Sequence, residues 1–369
     1  MQYVTEYRDL AKARSLAREI AREVRPDRDY RFMEFCGGHT HLLARWGLPD
    51  LLPKNLRMIH GPGCPVCVLP VGRLELALEL ARRGVIVCTY ADLLRVPASR
   101  GQTLFLAKAQ GADVRMVYSP LDTLAVARAH PDREVVFFAI GFETTAPATA
   151  VALMRAASEG LMNFSVACSH VLTPAAMEEI LRGTVPLDGL VGPGHVSTVI
   201  GEAPYRSIAE KYRIPIVISG FEPLDMLLTI LMLVRQVNDG RAAVENEFQR
   251  GVAPEGNPAA LALLQRVFVK RAAFAWRGLG VIAESALAIA PAFARWDAEK
   301  RFSLVEHVVP DHKACACGAV LRGEKSPLEC RAFGSACTPA HPIGACMVSS
   351  EGACAACYQT SCRRRGASA

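Results

Sequence analysis

The chain has 369 residues, 51% of them hydrophobic and 21% charged, with a formal net charge of +6. That is enough for two or three globular domains, and too little positive charge, with no basic stripe interleaved with aromatics, for a nucleic-acid surface. Thirteen cysteines, behind an N-terminus that lacks the apolar centre of a secretory signal, point to a cytoplasmic protein whose thiols serve metal ligation or redox chemistry.

In chain order, Leu10, Ala13, Ala17, Ile20 and Val24 recur at helical spacing. Residues 1–28 therefore read as an N-terminal surface helix stopped before Pro26, expected to pack on the C-terminal region. Tyr30 to Phe35 is a short strand, followed at once by the loop Cys36-Gly-Gly-His-Thr-His41. A second apolar run, Leu56 to Ile59, leads through His60 into Gly61-Pro-Gly-Cys64-Pro-Val-Cys67 and then a helical segment, 73–81. A Cys-x-x-Cys on such a loop holds two thiols close enough to close a disulfide or share a metal, and a following helix favours the thiolate. Half of a structural zinc site is the competing reading.

Val85 to Tyr90, Val114 to Tyr118 and Glu134 to Ile140 are further strands with helical patterns between them. The last runs into Gly141-Phe-Glu-Thr-Thr-Ala-Pro147 and a helix through Glu159. Phe164 to Ser169 and Gly189 to Val191 are weaker strands. Ile214 to Ser219 runs into Gly220-Phe-Glu-Pro223 and a helix to about Gln236. Glu222 and Asp225 within this most apolar stretch argue against a membrane span.

Strands alternating with helices predict an α/β protein with parallel sheets, whose sites gather at the carboxyl ends of strands. The loops carrying Cys36, Cys64, Glu143 and Glu222 fall there. The Gly-Phe-Glu repeat at 141–143 and 220–222 suggests two similar α/β lobes, placed at 29–145 and 146–240. Beyond them, 258–269 and 281–293 look helical, within a C-terminal region spanning 241–369.

That region carries eight cysteines: Cys315, Cys317, Cys330, Cys337, Cys346, Cys354, Cys357 and Cys362. The residues between them supply turns and little apolar bulk, so metal binding would compensate for a weak core. Structural zinc prefers close cysteine pairs, and only Cys354-Ala-Ala-Cys357 and the tighter Cys315-Ala-Cys317 qualify. Wide, uneven spacing suits a cubane iron–sulfur cluster better.

Together these motifs resemble one family. Cys36-Gly-Gly-His-Thr-His41, His60-Gly-Pro-Gly-Cys-Pro-Val-Cys67, Gly141-Phe-Glu-Thr-Thr-Ala-Pro147, Gly192-Pro-Gly-His-Val196, Cys317-Gly-Ala-Val-Leu-Arg-Gly323 and Met347-Val-Ser-Ser-Glu-Gly-Ala-Cys354 are similar to those of the HypD family of nickel–iron hydrogenase maturation. The resemblance implies two related α/β lobes plus a C-terminal helical, cysteine-rich region holding a 4Fe-4S cluster. It implies a scaffold that works with a small HypC-like chaperone, takes cyanide from HypE, and carries an Fe(CN)2CO iron as transient cargo, bound indirectly for the hydrogenase large subunit. The family's cluster spacing falls here on Cys317, Cys330, Cys337 and Cys354. Cys315, Cys346, Cys357 and Cys362 depart from or add to that pattern.

Soft thiolate donors suit such an iron, and Cys36, on its Gly-Gly loop, is the expected ligand. His39 or His41 would hydrogen-bond a cyanide nitrogen or donate a proton. Cys64 and Cys67 would be a redox pair fed by the cluster. Glu143, His195 and Glu222 read as helix caps or anion ligands, and Cys88 and Cys168 as plain core thiols. Two other functions compete: a freestanding disulfide reductase of the ferredoxin:thioredoxin reductase kind, and a zinc-stabilised binding module without redox chemistry.

Overall fold

A computed structural model describes residues 5–366, with side chains described as far as Thr360. The side chains of Cys362 and of the basic run at 363–365 lie outside the described residues, as do residues 1–4 of the predicted N-terminal helix.

Nine strands build two parallel sheets among the described residues: β1 Tyr30–Glu34, β2 Leu56–His60, β3 Ile86–Thr89, β4 Val114–Met116, β5 Val135–Gly141, β6 Phe164–His170, β7 Gly189–Pro193, β8 Ile216–Ser219 and β9 Val244–Asn246. The first sheet has the order β2-β1-β7-β8-β9 and the second β4-β3-β5-β6. Every pairing in both is parallel. β5 and β6 are buried along their whole length, as parallel strands covered by helices on both faces must be. Their Val, Phe and Ile side chains form the floor of the largest cores.

The two lobes exist, but they do not part at residue 145. That boundary falls between β5 and β6, which are neighbours in one sheet. The chain lays down β1 and β2, crosses to build the whole second sheet, and returns for β7 to β9. Pairing of β1 with β7, residues 32–34 against 189–191, closes the first sheet across that long excursion. The Gly-Phe-Glu repeat does not mark equivalent positions either. The sheets correspond as 2-1-7-8 to 4-3-5-6, so β5 corresponds to β7, whereas the second Gly-Phe-Glu follows β8.

Three other expectations are corrected. The N-terminal helix, Leu10–Glu23, packs on the helix Pro223–Asn238 and not on the C-terminal region. Its Ala13 and Ile20 bury against Leu227 and Leu231 in one core, and Glu19 and Glu23 pair with Arg235. Residues 281–289 are not helical, and 291–293 belong to a short 3-10 turn, Pro291–Trp296. Gly280 and Glu284 have positive φ, which breaks a helix. The chain there forms the hairpin strands β10 Phe268–Lys270, β11 Ala273–Trp276, β12 Gly280–Ala283 and β13 Leu287–Ile289, paired β10 with β13 and β11 with β12. Finally, the glycines after Cys36 are not in a loop: Gly37–Trp46 is an α-helix capped at its far end by Gly47 in the left-handed conformation.

The cysteine-rich tail is mostly turns, with short helices at Cys317–Leu321 and Ala345–Met347 and a longer one at Ala353–Gly366. It is not a detached module. The last helix packs on Gly37–Trp46, and Cys317, Cys337, Cys346 and Cys354 share a core with Cys64, Cys67 and the second sheet. No described helix is long and apolar enough to cross a membrane.

Candidate functional site: a cleft between two switch points

Each sheet has one place where the strand order reverses, between β1 and β7 in the first and between β3 and β5 in the second. Open parallel sheets leave a crevice at the carboxyl ends there. The two crevices face one another and merge into a single cleft of about 300 Å³. Cys36 follows β1, His195 follows β7, Asp92 follows β3, and Thr144 and Thr145 follow β5; all of these line it. The Cys64 loop, through Gly63, Pro65 and Val66, forms one wall, and Ser349 and Glu351 reach in from the tail.

Cys36 starts the helix that follows it, its carbonyl accepting from the His39 and Thr40 N–H groups. Its own N–H donates to Glu34 Oε2 at 2.8 Å. The same buried carboxylate accepts from the Thr40 hydroxyl and lies 2.9 Å from His60 Nδ1. Glu34 therefore ties the Cys36 turn to the strand leading into the Cys64 loop. The two segments also join directly, Gly37 N–H donating to the Gly63 carbonyl at 3.0 Å. Gly63 is required here because a Cβ would collide with the Cys36 backbone.

Cys36 is 6% exposed. Burial pushes its thiol up to about 12, helped by the charges of Glu34 and Glu351 and opposed by the helix N–H groups of Gly38 and His39. Without a cation beside it, Cys36 is a thiol. His195 Nδ1 lies 3.7 Å from the Cys36 sulfur. The His195 ring stacks on Phe221 at 3.7 Å, and desolvation, with His39 nearby, lowers its pKa to about 4. His195 is a neutral imidazole at physiological pH.

His39 and His41 do not line the cleft. His39 is fully buried, Nε2 lying 3.2 Å from the Ser219 carbonyl and the ring facing Phe221 at 5.0 Å. His41 is half-buried on the same helix. The glycines that were expected to admit a metal group instead admit protein: a Cβ on Gly38 would lie 2.9 Å from the Phe221 ring, and one on Gly37 would collide with Glu351. The imidazole beside Cys36 is His195, which sequence reasoning set among helix caps. Its position after a buried apolar strand, in Gly-Pro-Gly-His, was the available signal.

Cys64 and Cys67 are joined by a disulfide. Cys64 caps a one-turn helix, Pro65–Val68, its sulfur accepting the Cys67 N–H at 3.2 Å. Both half-cystines are buried beneath the cleft wall. The turn packs on Ala345–Met347, so the disulfide lies between the cleft and the tail.

On that far side, Cys315, Cys317, Cys330, Cys337, Cys346 and Cys354 line one apolar cavity with Phe333, Ile343 and Met347. All four residues of the expected cluster spacing are present, together with two of the extra cysteines; Cys357 is not among them. The sulfurs of Cys317 and Cys346 are 2.7 Å apart. Hydrogen bonds from Cys315 and Cys346 pull the Cys317 thiol down and push those two up. Six thiols around one cavity suit a soft metal. Free space between the thiols is about 10 Å³, so a bound group would take the place of their mutual contacts. Among the described residues, no three His, Cys, Asp or Glu side chains are arranged to hold a single metal ion.

Glu143 caps the next helix over and not its own: it accepts from Thr173 N–H at 2.9 Å and Thr173 Oγ1 at 3.0 Å. Glu222 caps Pro223–Asn238 in a capping box with Asp225 and pairs with Arg8. Cys88 and Cys168 are buried in β3 and β6.

Fold and site define a two-sheet α/β protein in which a buried thiol, a disulfide and a cysteine-lined cavity stand in sequence. The comparisons give the lineage. A HypD model, described as the Hydrogenase formation hypA family, matches residues 11–361. Similar proteins include the Hydrogenase maturation factor HypD of Azotobacter vinelandii, 59% identical over 97% of this chain and 96% of its own length. The Hydrogenase expression/formation protein HupD of Azotobacter chroococcum is 58% identical over 100% and 99%. The Hydrogenase maturation factor HypD of Escherichia coli is 44% identical over 97% and 98%. This chain belongs to the HypD family of hydrogenase maturation factors.

Proposed function

We propose that the chain is a scaffold and redox-active accessory protein for assembling the Fe(CN)2CO group of nickel–iron hydrogenase. It holds the iron on Cys36 jointly with a HypC-like partner and accepts cyanide from HypE. The observation that carries this reading is the convergence of Cys36 and the Cys64–Cys67 loop on one cleft, tied together by Glu34 and the Gly37–Gly63 hydrogen bond.

The iron is the substrate here. Its positive charge offsets the Glu34 and Glu351 carboxylates that hold the Cys36 proton in place, so arrival of the metal releases that proton. His195 Nδ1 is positioned to accept it or to donate to a cyanide nitrogen. Cyanide carried as a thiocyanate leaves its sulfur when two electrons enter the S–C bond. The Cys64–Cys67 dithiol supplies both as it closes: one thiocyanate and one dithiol give a thiolate, a cyanide, a disulfide and two protons. The oxidised pair in this structure corresponds to the end of that step. Cys317, Cys330, Cys337 and Cys354, with Cys315 and Cys346 beside them, would hold a 4Fe-4S cluster, which when bound supplies single electrons to reopen the disulfide.

The test is Cys36→Ala in the complex with the small partner. We expect loss of retained iron and of the infrared cyanide bands; iron retained with those bands intact overturns the assignment.

A further inference from the structure

At the tip of the β11–β12 hairpin, between the disulfide turn and the cysteine cavity, lies Arg277. It is a buried cation, 6% exposed, bonded directly to the turn and carried by a hairpin that packs on the segment after Cys317. Its main-chain N–H donates to the Val68 carbonyl at 2.8 Å, and Nε donates to the Leu69 carbonyl at 2.9 Å. These carbonyls end the turn that Cys64 begins. On the other side the hairpin is pressed against the segment after Cys317. Gly278 has φ +79°, and a Cβ there would come within 2.6 Å of the Gly318 Cα. Arg322 Nη1 donates to the Gly278 carbonyl, closing the contact.

The charge of Arg277 is incompletely compensated. Nη1 donates to Asp311, which is itself partly exposed, while Nη2 is buried with no hydrogen-bond partner. A guanidinium left with a free buried donor strongly favours negative charge nearby. Arg277 and Asp311 line one cavity together with Cys315, at the edge of the sulfur set. Asp311 brings the opposite charge to the same place.

We propose that Arg277 is a positioning residue that fixes the disulfide turn against the cysteine cavity and, with Asp311 as its counterweight, sets the reduction potential of the metal group held there. This rests on reading the cavity as an iron–sulfur site. A buried positive charge stabilises the reduced, more negative form of such a group, and removing it makes that form harder to reach.

The experiment is a redox titration of the full chain, purified anaerobically and followed by electron paramagnetic resonance, for wild type, Arg277→Gln, Arg277→Lys and Asp311→Asn. Iron and sulfide content are measured alongside. At a fixed ambient potential, Arg277→Gln is expected to lower the reduced-to-oxidised ratio about tenfold, 59 mV for a one-electron couple. Arg277→Lys is expected to restore most of it, and Asp311→Asn to raise the ratio. Opposite signs are what a charge effect requires and a merely structural role does not produce. Shifts of the same sign in the glutamine and asparagine variants, or no shift with the cluster retained, overturn the proposal. If Arg277→Gln does not fold, Asp311→Asn alone decides by the sign of its shift. Wild-type protein without iron and sulfide overturns the underlying reading and this proposal with it, whereas a wild-type cluster with unmoved potentials overturns this proposal alone.

Discussion

Around Cys36 the sulfur is held by regular structure. Strand ends, helix starts and the buried Glu34 carboxylate place it, and the main-chain N–H groups of Cys36 and Gly37 both have partners. Around Cys317 and Cys346 the backbone is mostly turns, and the sulfurs are among the few apolar groups that bring those turns together. In the first region the fold makes the site; in the second, the site makes the local fold. The difference explains why one family motif tolerates a packed helix immediately after its cysteine while the other spreads its cysteines over forty residues of turns (315–354).

Three perturbations test that contrast. The largest effect is expected from Cys337→Ala. Removing this thiol should lower hydrogen-exchange protection across residues 315–348 by about a thousandfold or more, because little else holds the turns, while amides of β5 and β6 keep theirs. Equal loss in both regions, or in neither, would break the comparison.

Next comes Glu143→Gln. Burial raises the Glu143 carboxyl to about 7 from its ordinary value of 4.5. The folded form therefore binds a proton that the unfolded chain has released. Its stabilising contribution is complete below the unfolded value and is lost as pH rises through about 7. That amounts to about 3 kcal/mol. Denaturant unfolding between pH 4.5 and 8 should show this slope in wild type and a flatter one in the glutamine variant; parallel curves would remove Glu143 as the cause.

The smallest effect is set by Gly63→Ala. The added methyl meets the Cys36 backbone, an overpacking cost of about 2 kcal/mol. Thermal melts should register it while iron and sulfide in the tail stay unchanged. Unaltered stability would mean that the contact between the two loops relaxes freely.

Much of the first region was legible in the residues. Buried strands such as 134–140 announce themselves by apolar runs, and the loops after them line the cleft. His39 shows the limit. Its motif is adjacent to Cys36 in sequence, but one helical turn carries the ring away from the cleft and under Phe221. His195, distant by 159 positions, arrives because β7 pairs with β1. Glu34 was invisible as a functional residue for the same reason: a strand carboxylate reads as solvated until its neighbours are known.

By itself, the amino-acid order determined that this is an α/β protein with parallel sheets, that its C-terminal region is rich in thiols, and which family it resembles. Local spacing and burial patterns suffice for those conclusions, because they depend on residues close together along the chain. Only the tertiary structure decided that the lobes interleave, that the two strand-order reversals share one cleft, and that Arg277 stands between disulfide and cavity. Those facts depend on which strands pair across more than a hundred residues, and that choice is made by packing of whole faces, which no local pattern records.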